Sequence, residues 1–374
     1  MAATAPPPRI LLTGATGFIG GSVLTQLLAS TSPSLRSAPI TCLLRGADRA
    51  AKLKAAYGDR VNPVVYTGLD DLATTAAVAA QHDVVISTTL GYHLPSARAL
   101  LEGLAHRKQA RPGCEPWFIH TSGTSNVGAR PVSGAWVDVA GSPDGRAFDD
   151  AVDDVYAYER ERDAAEPYVQ RTTELGVVDA GIELEVGTLV VMAPTIYGIG
   201  TGLFNKRSVQ IPAFIATALD HGRAVVISDG SGVWDHVHVA DLAALYELLA
   251  LRALDERGAG LPRGRKGIIF ASHGRHSWGD IARGVARACH EAGALPDATV
   301  ESLALPEATK LFVASYLAEA DEAMVELGLA SCARTVPTVA LGLGWKPAYD
   351  EDAWERGFRD DVDAVLAERR EKGR

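Results

Sequence analysis

A glycine-rich segment near the start of the sequence has the residue types and spacing that hold a phosphate group. Residues 13–20 read Thr-Gly-Ala-Thr-Gly-Phe-Ile-Gly, directly after the strand-like run 10–12 and at the start of an amphipathic helix. Glycines permit a tight turn, let backbone amides approach a pyrophosphate, and let the helix pack closely on the strand. The segment therefore predicts a dinucleotide site with contacts from Gly14, Thr16, Gly17, Phe18, Ile19 and Gly20.

The residues after the second predicted strand indicate which dinucleotide binds. A carboxylate at that point accepts a hydrogen bond from the adenosine 2′-hydroxyl of NAD, whereas an arginine accommodates the 2′-phosphate of NADP. Here the strand 40–44 is followed first by Arg45 and then by Asp48. The order predicts NADP bound through Arg45. In the alternative interpretation, Arg45 is a solvated loop cation and Asp48 binds the ribose.

Alternating strand and helix patterns predict the framework that would position these residues. Short β-branched runs alternate with longer Ala- and Leu-rich segments of helical period, which is typical of a parallel sheet with crossover helices. Six such steps predict an α/β fold, a Rossmann-type doubly wound parallel sheet. The predicted strands are 9–13, 40–44, 62–67, 83–88, 117–121 and 186–192, and the predicted helices are 18–29, 48–56, 70–80, 94–106 and 172–180.

After Pro194 the pattern becomes less regular and predicts a smaller, discontinuous C-terminal substrate lobe. We expect a dinucleotide-binding core over 9–194 with returns near 237–271, a lobe from 195–236 and 272–350, and a C-terminal helix and tail over 351–374. The acidic segment 146–167 predicts an insertion or lid, with a solvated surface loop as the alternative. Further predicted elements are strands 224–228 and 267–271 and helices 241–254, 278–291 and 307–319.

The composition argues against several function classes. The 374 residues include 36 Lys and Arg against 46 Asp and Glu, a formal charge of −10, which disfavours nucleic acid and anionic membrane as partners. The short Ala- and Pro-rich start leaves no room for a signal peptide, and no apolar run reaches the roughly 18 residues of a spanning helix. We therefore expect a soluble cytoplasmic protein, a monomer or homodimer, with a small-molecule substrate. Four scattered cysteines predict reduced thiols and no metal site.

The sequence resembles the extended short-chain dehydrogenase/reductase superfamily, in its epimerase/dehydratase-like group, and within it fungal-type members. The resemblance covers about residues 9–350. It rests on the glycine-rich segment and on residues 68–71 (Gly-Leu-Asp-Asp), 83–88 (Asp-Val-Val-Ile-Ser-Thr), 194–198 (Pro-Thr-Ile-Tyr-Gly) and 237–242 (Val-His-Val-Ala-Asp-Leu). The resemblance implies further cofactor contacts from Leu69, Asp70, Ser87, Thr88, Thr89, Pro194 and Thr195.

The same resemblance implies a Ser after the fifth strand and a Tyr-x-x-x-Lys on the next helix, of which only the Ser has a direct counterpart. Ser122 matches the family's Ser, which orients the substrate oxygen, but no Lys lies between Lys108 and Lys206. In the family that Lys holds the nicotinamide ribose and lowers the pKa of the Tyr, which exchanges the proton. An unperturbed phenol with a pKa of about 10 needs such a cation to act as a base near neutrality.

Three tyrosine and arginine pairs could replace the missing motif. Tyr168 and Arg171 lie at the expected distance before Tyr197 but are three residues apart, whereas Tyr156/Arg160 and Tyr158/Arg162 keep a separation of four. We predict Tyr168 as acid/base and Arg171 as the replacement cation. Tyr168 as a substrate-pocket phenol without proton transfer, or as a packing residue, remains an alternative.

Four further residues are predicted to contact substrate: His93 as an auxiliary acid/base, and Tyr197, Phe204 and Trp234 in the lobe, with core packing as the alternative for the aromatics. A metal at His236 and His238 is disfavoured. The sequence as a whole predicts an NADP(H)-dependent oxidoreductase that moves a hydride between nicotinamide and a carbonyl or alcohol carbon. The alternatives are a nucleotide-sugar epimerase or dehydratase with bound NAD, and a catalytically silent NADP-binding sensor or interaction protein.

Overall fold

The computed structural model describes residues 9–37, 39–137 and 146–373, so most of the predicted N-terminal tail lies outside the described residues. The strands are β1 Ile10–Thr13, β2 Ile40–Leu44, β3 Val61–Val65, β4 Val84–Ser87, β5 Trp117–Gly123, β6 Ala147–Asp149, β7 Gly187–Ala193, β8 Thr195–Tyr197, β9 Ala224–Ile227, β10 Val233–His238, β11 Ile268–Phe270, β12 Arg275–Ser277, β13 Val300–Leu303 and β14 Arg334–Val336.

The α-helices follow the same order along the chain. They are α1 Phe18–Ala29, α2 Pro33–Arg36, α3 Ala47–Tyr57, α4 Leu72–Ala79, α5 Leu94–Ala110, α6 Val155–Ala165, α7 Val169–Glu183, α8 Gln210–His221, α9 Val239–Asp255, α10 Trp278–Glu291, α11 Leu305–Phe312, α12 Glu322–Leu329, α13 Thr338–Gly342 and α14 Glu351–Glu371.

A seven-stranded parallel sheet forms the centre of the fold, in the order β11-β7-β5-β4-β1-β2-β3. Its strands are buried on both faces: Leu12 belongs to the apolar core on one side and its neighbour Leu11 to the core on the other. The strand order reverses between β1 and β4, so the loops that follow these two strands diverge and leave a crevice at the carboxyl ends. The Rossmann-type α/β prediction is confirmed.

A second, smaller set of elements forms its own apolar core after β7. Phe214 of α8, Trp278 of α10, Phe312 of α11 and Trp354 of α14 pack together there. Three short strands, β12-β10-β8, link this core to the main sheet. The predicted helix 307–319 is wrong in extent: α11 ends at Phe312, and Ala314 adopts a left-handed φ of 71° that no helix continues through.

The segment 146–167 is not a solvated loop. It contains β6, which pairs with β14, and α6, whose Glu159 and Arg162 are fully buried. A helix that buries charged residues lacks the apolar stripe at helical spacing by which helices are recognised in a sequence. For that reason α6 was not predicted. No α-helix within the described residues is both long enough and apolar enough to cross a membrane.

Candidate functional site

A cavity of about 590 Å³ opens at the carboxyl ends of β1, β4, β5 and β7. Its floor comes from the loops and first turns that follow these strands, and its outer wall comes from the smaller core. The lining includes Phe18, Ile19, Thr88, Thr89, Tyr92, Ser122, Ser125, Tyr168, Gln170, Pro194, Ile196, Asn205, Ser208, Val209, Gln210, Trp234, Tyr316, Met324, Leu327 and Gly328. A cavity of this volume is in the usual range for small-molecule sites.

Phe18 and Ile19, at the start of α1, line one end of this cavity, and the glycine-rich turn that precedes them has the shape of a phosphate cradle. Gly14, Thr16, Gly17 and Gly20 are not part of the described lining. Gly14 has a φ of 78°, and a Cβ added at Gly20 would lie 2.2 Å from the Gly14 carbonyl oxygen. Gly17 caps the 12-residue α1 without any side chain, so the first amides of the helix carry no side-chain cap. An uncapped helix N-terminus stabilises an anion. Within the described chain, these residues fit a dinucleotide pyrophosphate.

The loops after the neighbouring strands are compatible with the rest of such a cofactor. Thr88 donates a hydrogen bond of 2.8 Å from Oγ1 to the Thr13 carbonyl oxygen and fixes the crevice. The hydroxyls of Thr13, Ser87 and Thr89 lie 3.4 Å from one another. Thr88, Thr89 and Pro194 line the cavity, whereas Ser87 and Thr195 lie buried behind it.

Arg45 and Asp48 are both exposed just beyond β2. Both side chains are therefore accessible to a bound cofactor, and the assignment of the ribose contact to Arg45 or to Asp48 stays a prediction. Leu69 is half-buried and Asp70 exposed in the loop after β3, and Thr16 is half-buried in the turn itself.

Tyr168 lines the cavity, and its hydroxyl belongs to a compact hydrogen-bonded group. The Tyr168 hydroxyl donates to the Gln170 Oε1 at 2.9 Å and lies 3.2 Å from the Ser125 hydroxyl, which also donates to that Oε1 at 2.9 Å. The Gln170 amide nitrogen lies close to Gly123, where an added Cβ would approach it to 2.8 Å. This group places hydroxyl and amide donors around the space where a substrate oxygen could bind.

The phenol of Tyr168 is held in its neutral form. Burial raises its pKa well above the ordinary value of 10, the nearby Tyr92 raises it further, and the hydrogen bond with Ser125 only partly opposes this. A neutral phenol is a proton donor, not a base, near neutral pH. The arrangement therefore suits protonation of a carbonyl oxygen.

Ser122 lines the cavity wall, but its hydroxyl belongs to a buried polar network behind the wall. Asn126 Nδ2 donates to Ser122 Oγ at 3.2 Å and to Glu174 Oε2 at 2.7 Å. Glu174 and Glu159 are both fully buried. Burial raises the pKa of Glu174 to about 7, although Ser122, Glu159 and Asn126 lower it by hydrogen bonding, and burial raises the pKa of Glu159 as well.

Arg171 does not take the place of the missing Lys, which corrects the prediction made from the sequence. Its guanidinium is fully buried, donates from Nε to the Asn126 carbonyl at 3.0 Å and from Nη1 to the Glu166 carbonyl at 2.8 Å, and lies outside the described cavity wall. The guanidinium carbon lies over the Tyr168 ring, 5.6 Å from its centroid. Helix α7 turns this side chain inward, toward the buried carboxyls.

The other two candidate tyrosines lie outside the described cavity wall. The Tyr156 hydroxyl donates to Asp179 at 2.5 Å, and the Tyr158 hydroxyl accepts from Trp136 at 3.1 Å. Of the three tyrosines, the geometry therefore brings Tyr168 to the cavity.

Three of the four predicted substrate residues also lie elsewhere. His93 caps α5, accepting from the Ser96 amide at Nδ1, and its Nε2 lies 3.1 Å from Asp70. Tyr197 is buried in the smaller core, and Phe204 packs against the main core. Trp234 does line the cavity.

Five further residues line the cavity but were not predicted from the sequence to bind a ligand: Tyr92, Ser125, Gln170, Ser208 and Tyr316. A single glutamine or serine has no spacing that marks it as a ligand contact. The one local signal in the sequence was that Gln170 lies two residues after Tyr168.

The described residues that line the cavity include no charged side chain. Its polar groups are hydroxyls and amides, and none of its described residues is Lys, Arg, His, Asp or Glu. Two hydroxyls in the wall, of Thr124 and Ser208, make no hydrogen bond within the described part of the chain, although both are buried. Buried polar groups normally have a partner, so these two hydroxyls are exceptions, and of the two residues only Ser208 keeps any exposed surface.

Comparison with known proteins finds one relative that aligns with most of the chain and several solved structures with the same fold. No protein-family model matches the chain. The chain is 30% identical over 347 residues to the oxidase ucsJ of Acremonium sp, an alignment that covers 91% of this chain and 92% of the relative. The chain belongs to the family of this oxidase. It is also 28% identical over 256 residues to an uncharacterized protein of Schizosaccharomyces pombe, covering 67% of this chain and 72% of that relative.

Solved structures share the fold at low sequence identity. A double mutant of DesIV, the dTDP-glucose 4,6-dehydratase of Streptomyces venezuelae, determined with NAD, has a TM-score of 0.62 at 14% identity and covers 96% of this chain and 98% of its own. The UDP-glucuronic acid 4-epimerase of Bacillus cereus, with NAD and UDP-glucuronic acid, has a TM-score of 0.58 at 13% identity, covering 96% and 99%. The fold is thus that of NAD-dependent epimerases and dehydratases.

Proposed function

We propose that this protein is an NADP(H)-dependent oxidoreductase that reduces the carbonyl of a small organic substrate, or oxidises the corresponding alcohol. The observation that carries the proposal is the buried Tyr168, which lines a cavity whose wall also includes Phe18 and Ile19, the first two helical residues after the glycine-rich turn. The family relationship to an oxidase and the fold shared with NAD-dependent enzymes support the same class of chemistry. When bound at the turn, NADPH would supply the hydride for the reduction, and NADP⁺ would accept the hydride in the oxidation of the alcohol.

Tyr168 donates the proton in this proposal, and its neighbours position the substrate oxygen. Because burial keeps the phenol protonated, the Tyr168 hydroxyl, which donates to Gln170 Oε1 in this structure, would donate instead to an oxygen that gains negative charge as the carbonyl carbon is reduced. The Gln170 amide nitrogen is a further donor at that point, and the Ser125 hydroxyl, which donates to Gln170 Oε1 in this structure, would become another by turning toward the substrate. Ser122, to which the resemblance assigns the orienting role, also lines the cavity, and its Oγ accepts a hydrogen bond from Asn126 Nδ2.

A nucleotide-sugar epimerase or dehydratase is the second candidate, because the neighbouring solved structures have those activities. A sugar nucleotide carries a diphosphate, and buried anions need a cation or several strong donors. The described lining of the cavity offers no Lys or Arg. The reductase proposal therefore fits the site better.

The decisive experiment measures cofactor binding and turnover separately. We expect purified protein to bind NADPH in a calorimetric titration and to consume it with at least one member of a panel of neutral ketones and aldehydes. Tyr168→Phe should then lose about 10²-fold or more in rate while NADPH affinity changes little, because only proton donation is removed.

Tyr158→Phe is the matched control, since Tyr158 keeps the four-residue separation from Arg162 but lies outside the described cavity wall. It should turn over like the wild type. Normal turnover by Tyr168→Phe contradicts the proposed mechanism. Tight NADPH binding without turnover of any panel member favours the sensor alternative, whereas a non-exchanging bound NAD favours the epimerase.

A further inference from the structure

We propose that the part of the cavity beyond the glycine-rich turn binds an uncharged, predominantly apolar carbonyl compound that carries one further oxygen, and that Ser208 hydrogen-bonds this oxygen. The inference rests on the proposed function, whose substrate class it names. It follows from the chemistry of the outer wall and from one unpartnered hydroxyl in that wall.

The outer wall is apolar and comes from separate elements of the smaller core. Val209 precedes α8, Trp234 lies on β10, and Met324 and Leu327 lie on α12. Aliphatic and aromatic surfaces of this kind stabilise a ligand by removing apolar area from water. A charged group placed against them loses hydration without gaining a counter-ion and would cost several kcal/mol.

Close packing fixes the shape of this wall. Gln210 Nε2 donates to the Gly328 carbonyl at 2.7 Å and ties the start of α8 to the end of α12. The Tyr316 hydroxyl lies against the Gly328 Cα, where an added Cβ would approach it to 1.8 Å. The apolar surface is therefore part of a packed structure, and a ligand would enter a largely formed site.

Ser208 supplies the polar contact on this side. Ser208 is 8% exposed and lines the cavity, and its hydroxyl is buried and has no hydrogen-bond partner within the described residues. A buried hydroxyl without a partner costs free energy, and a ligand oxygen that bonds it recovers that cost. The reacting carbonyl would bind at Tyr168, so the oxygen at Ser208 is a second one.

Matched probes test the charge requirement. The neutral ketone 2-acetylnaphthalene, its carboxylate analogue 6-acetyl-2-naphthoic acid, and UDP-glucose are titrated calorimetrically into protein saturated with NADP⁺, which cannot reduce them. We expect the neutral ketone to bind at least about tenfold more tightly than either anion. Equal or tighter binding of an anion, or no measurable binding of the neutral ketone, overturns the inference.

A charge-gain variant checks that the probes bind in this cavity. Met324→Lys should raise the affinity of 6-acetyl-2-naphthoic acid about tenfold relative to Met324→Gln, a variant of similar length without the charge. An unchanged affinity for the carboxylate contradicts binding at this wall.

Ser208→Ala tests the second contact with the set of 2-acetylnaphthalene isomers that carry one ring hydroxyl. At least one isomer should bind the wild type more tightly than the parent ketone and lose about fivefold or more in affinity in Ser208→Ala, with the parent ketone unaffected. Ser37→Ala, at an exposed site, is the control. If no isomer responds to the substitution, the assignment of Ser208 is wrong.

Failure of this inference can be told apart from failure of the proposed function. NADPH is titrated first, and the same probes are also titrated into protein without cofactor. Absence of NADPH binding counts against the oxidoreductase, whereas preference for anionic probes in either form counts against the substrate class.

Discussion

Gly17 lies where an added side chain would enter the proposed cofactor volume and not the protein interior. An added Cβ there meets only the Gly14 carbonyl oxygen, at 3.3 Å, and the extended backbone of Gly17 (φ −88°, ψ 177°) is one that valine adopts readily. We expect Gly17→Val to fold and to lose measurable NADPH binding in calorimetry. Gly342→Val, where an added Cβ meets nothing within 4 Å, should bind NADPH normally. Unchanged affinity in folded Gly17→Val would refute the cofactor assignment.

Arg45 is the residue that we predict to select NADP over NAD by binding the 2′-phosphate. Because Arg45 is exposed, its guanidinium is free to bond a 2′-phosphate, a charge-assisted interaction worth about 1.5 to 3 kcal/mol. Arg45→Ala should therefore weaken NADPH by about tenfold or more and leave NADH nearly unchanged when both are titrated. Arg49→Ala, the next exposed arginine, is the matched control. Equal losses for the two cofactors would mean that Arg45 contacts a part that they share.

At the scale of elements, α6 and α7 pack through buried charge. Glu159 and Arg162 of α6 and Arg171 and Glu174 of α7 are all fully buried. Such a network is costly unless the charges are paired or neutralised. The raised pKa values of both glutamates indicate that neutralisation by a proton is part of how the two helices fit together.

This network predicts a pH dependence of stability. The pKa of Glu174 is about 7 in the folded protein against an ordinary 4.5, so the folded state binds the proton more tightly and stability falls as pH rises through that interval. Glu174→Gln mimics the protonated form. Between pH 5 and pH 8, urea unfolding should show the wild type losing on the order of 1 to 3 kcal/mol relative to Glu174→Gln.

Glu161→Gln, at an exposed site of α6, serves as the control for that experiment and should follow the wild type at every pH. Parallel stability curves for Glu174→Gln and the wild type would show that Glu174 titrates alike in the folded and unfolded states, contrary to the expected shift.

For the molecule as a whole, the C-terminal helix locks the smaller core onto the strands that connect it to the main sheet. Trp354 of α14 stacks on His236 with ring centroids 4.0 Å apart and meets Tyr197 edge-on at 5.0 Å. Asp241 accepts from the amides of Ala348 and Tyr349, which fixes the chain just before α14. His236 and His238 therefore serve packing and helix capping in the described structure.

Trp354→Ala should lower the unfolding free energy by about 3 to 5 kcal/mol, because it removes a fully buried aromatic ring and leaves a cavity between β10, β12 and α14. Urea unfolding at a fixed pH measures the loss. Leu341→Ala, at a half-exposed position, should stay within about 0.5 kcal/mol of the wild type. A small effect of Trp354→Ala would mean that the smaller core is stable without this helix.

The sequence by itself determined the sheet and the glycine-rich turn, because both depend on local signals. Strand and helix periodicity specifies each βα step from neighbouring residues, and the predicted helix 278–291 coincides with α10. The turn is likewise encoded within eight residues.

Only the tertiary structure decided which way the chemistry-bearing side chains point. Spacing placed Arg171 near Tyr168, but the buried glutamates and two backbone carbonyls hold its guanidinium away from the cavity. Ser208 and Gln170 reach the cavity because distant elements pack there, and α6 was hidden because two of its buried residues, Glu159 and Arg162, are charged. Side-chain direction depends on contacts between residues far apart in the chain, and no local pattern encodes those contacts.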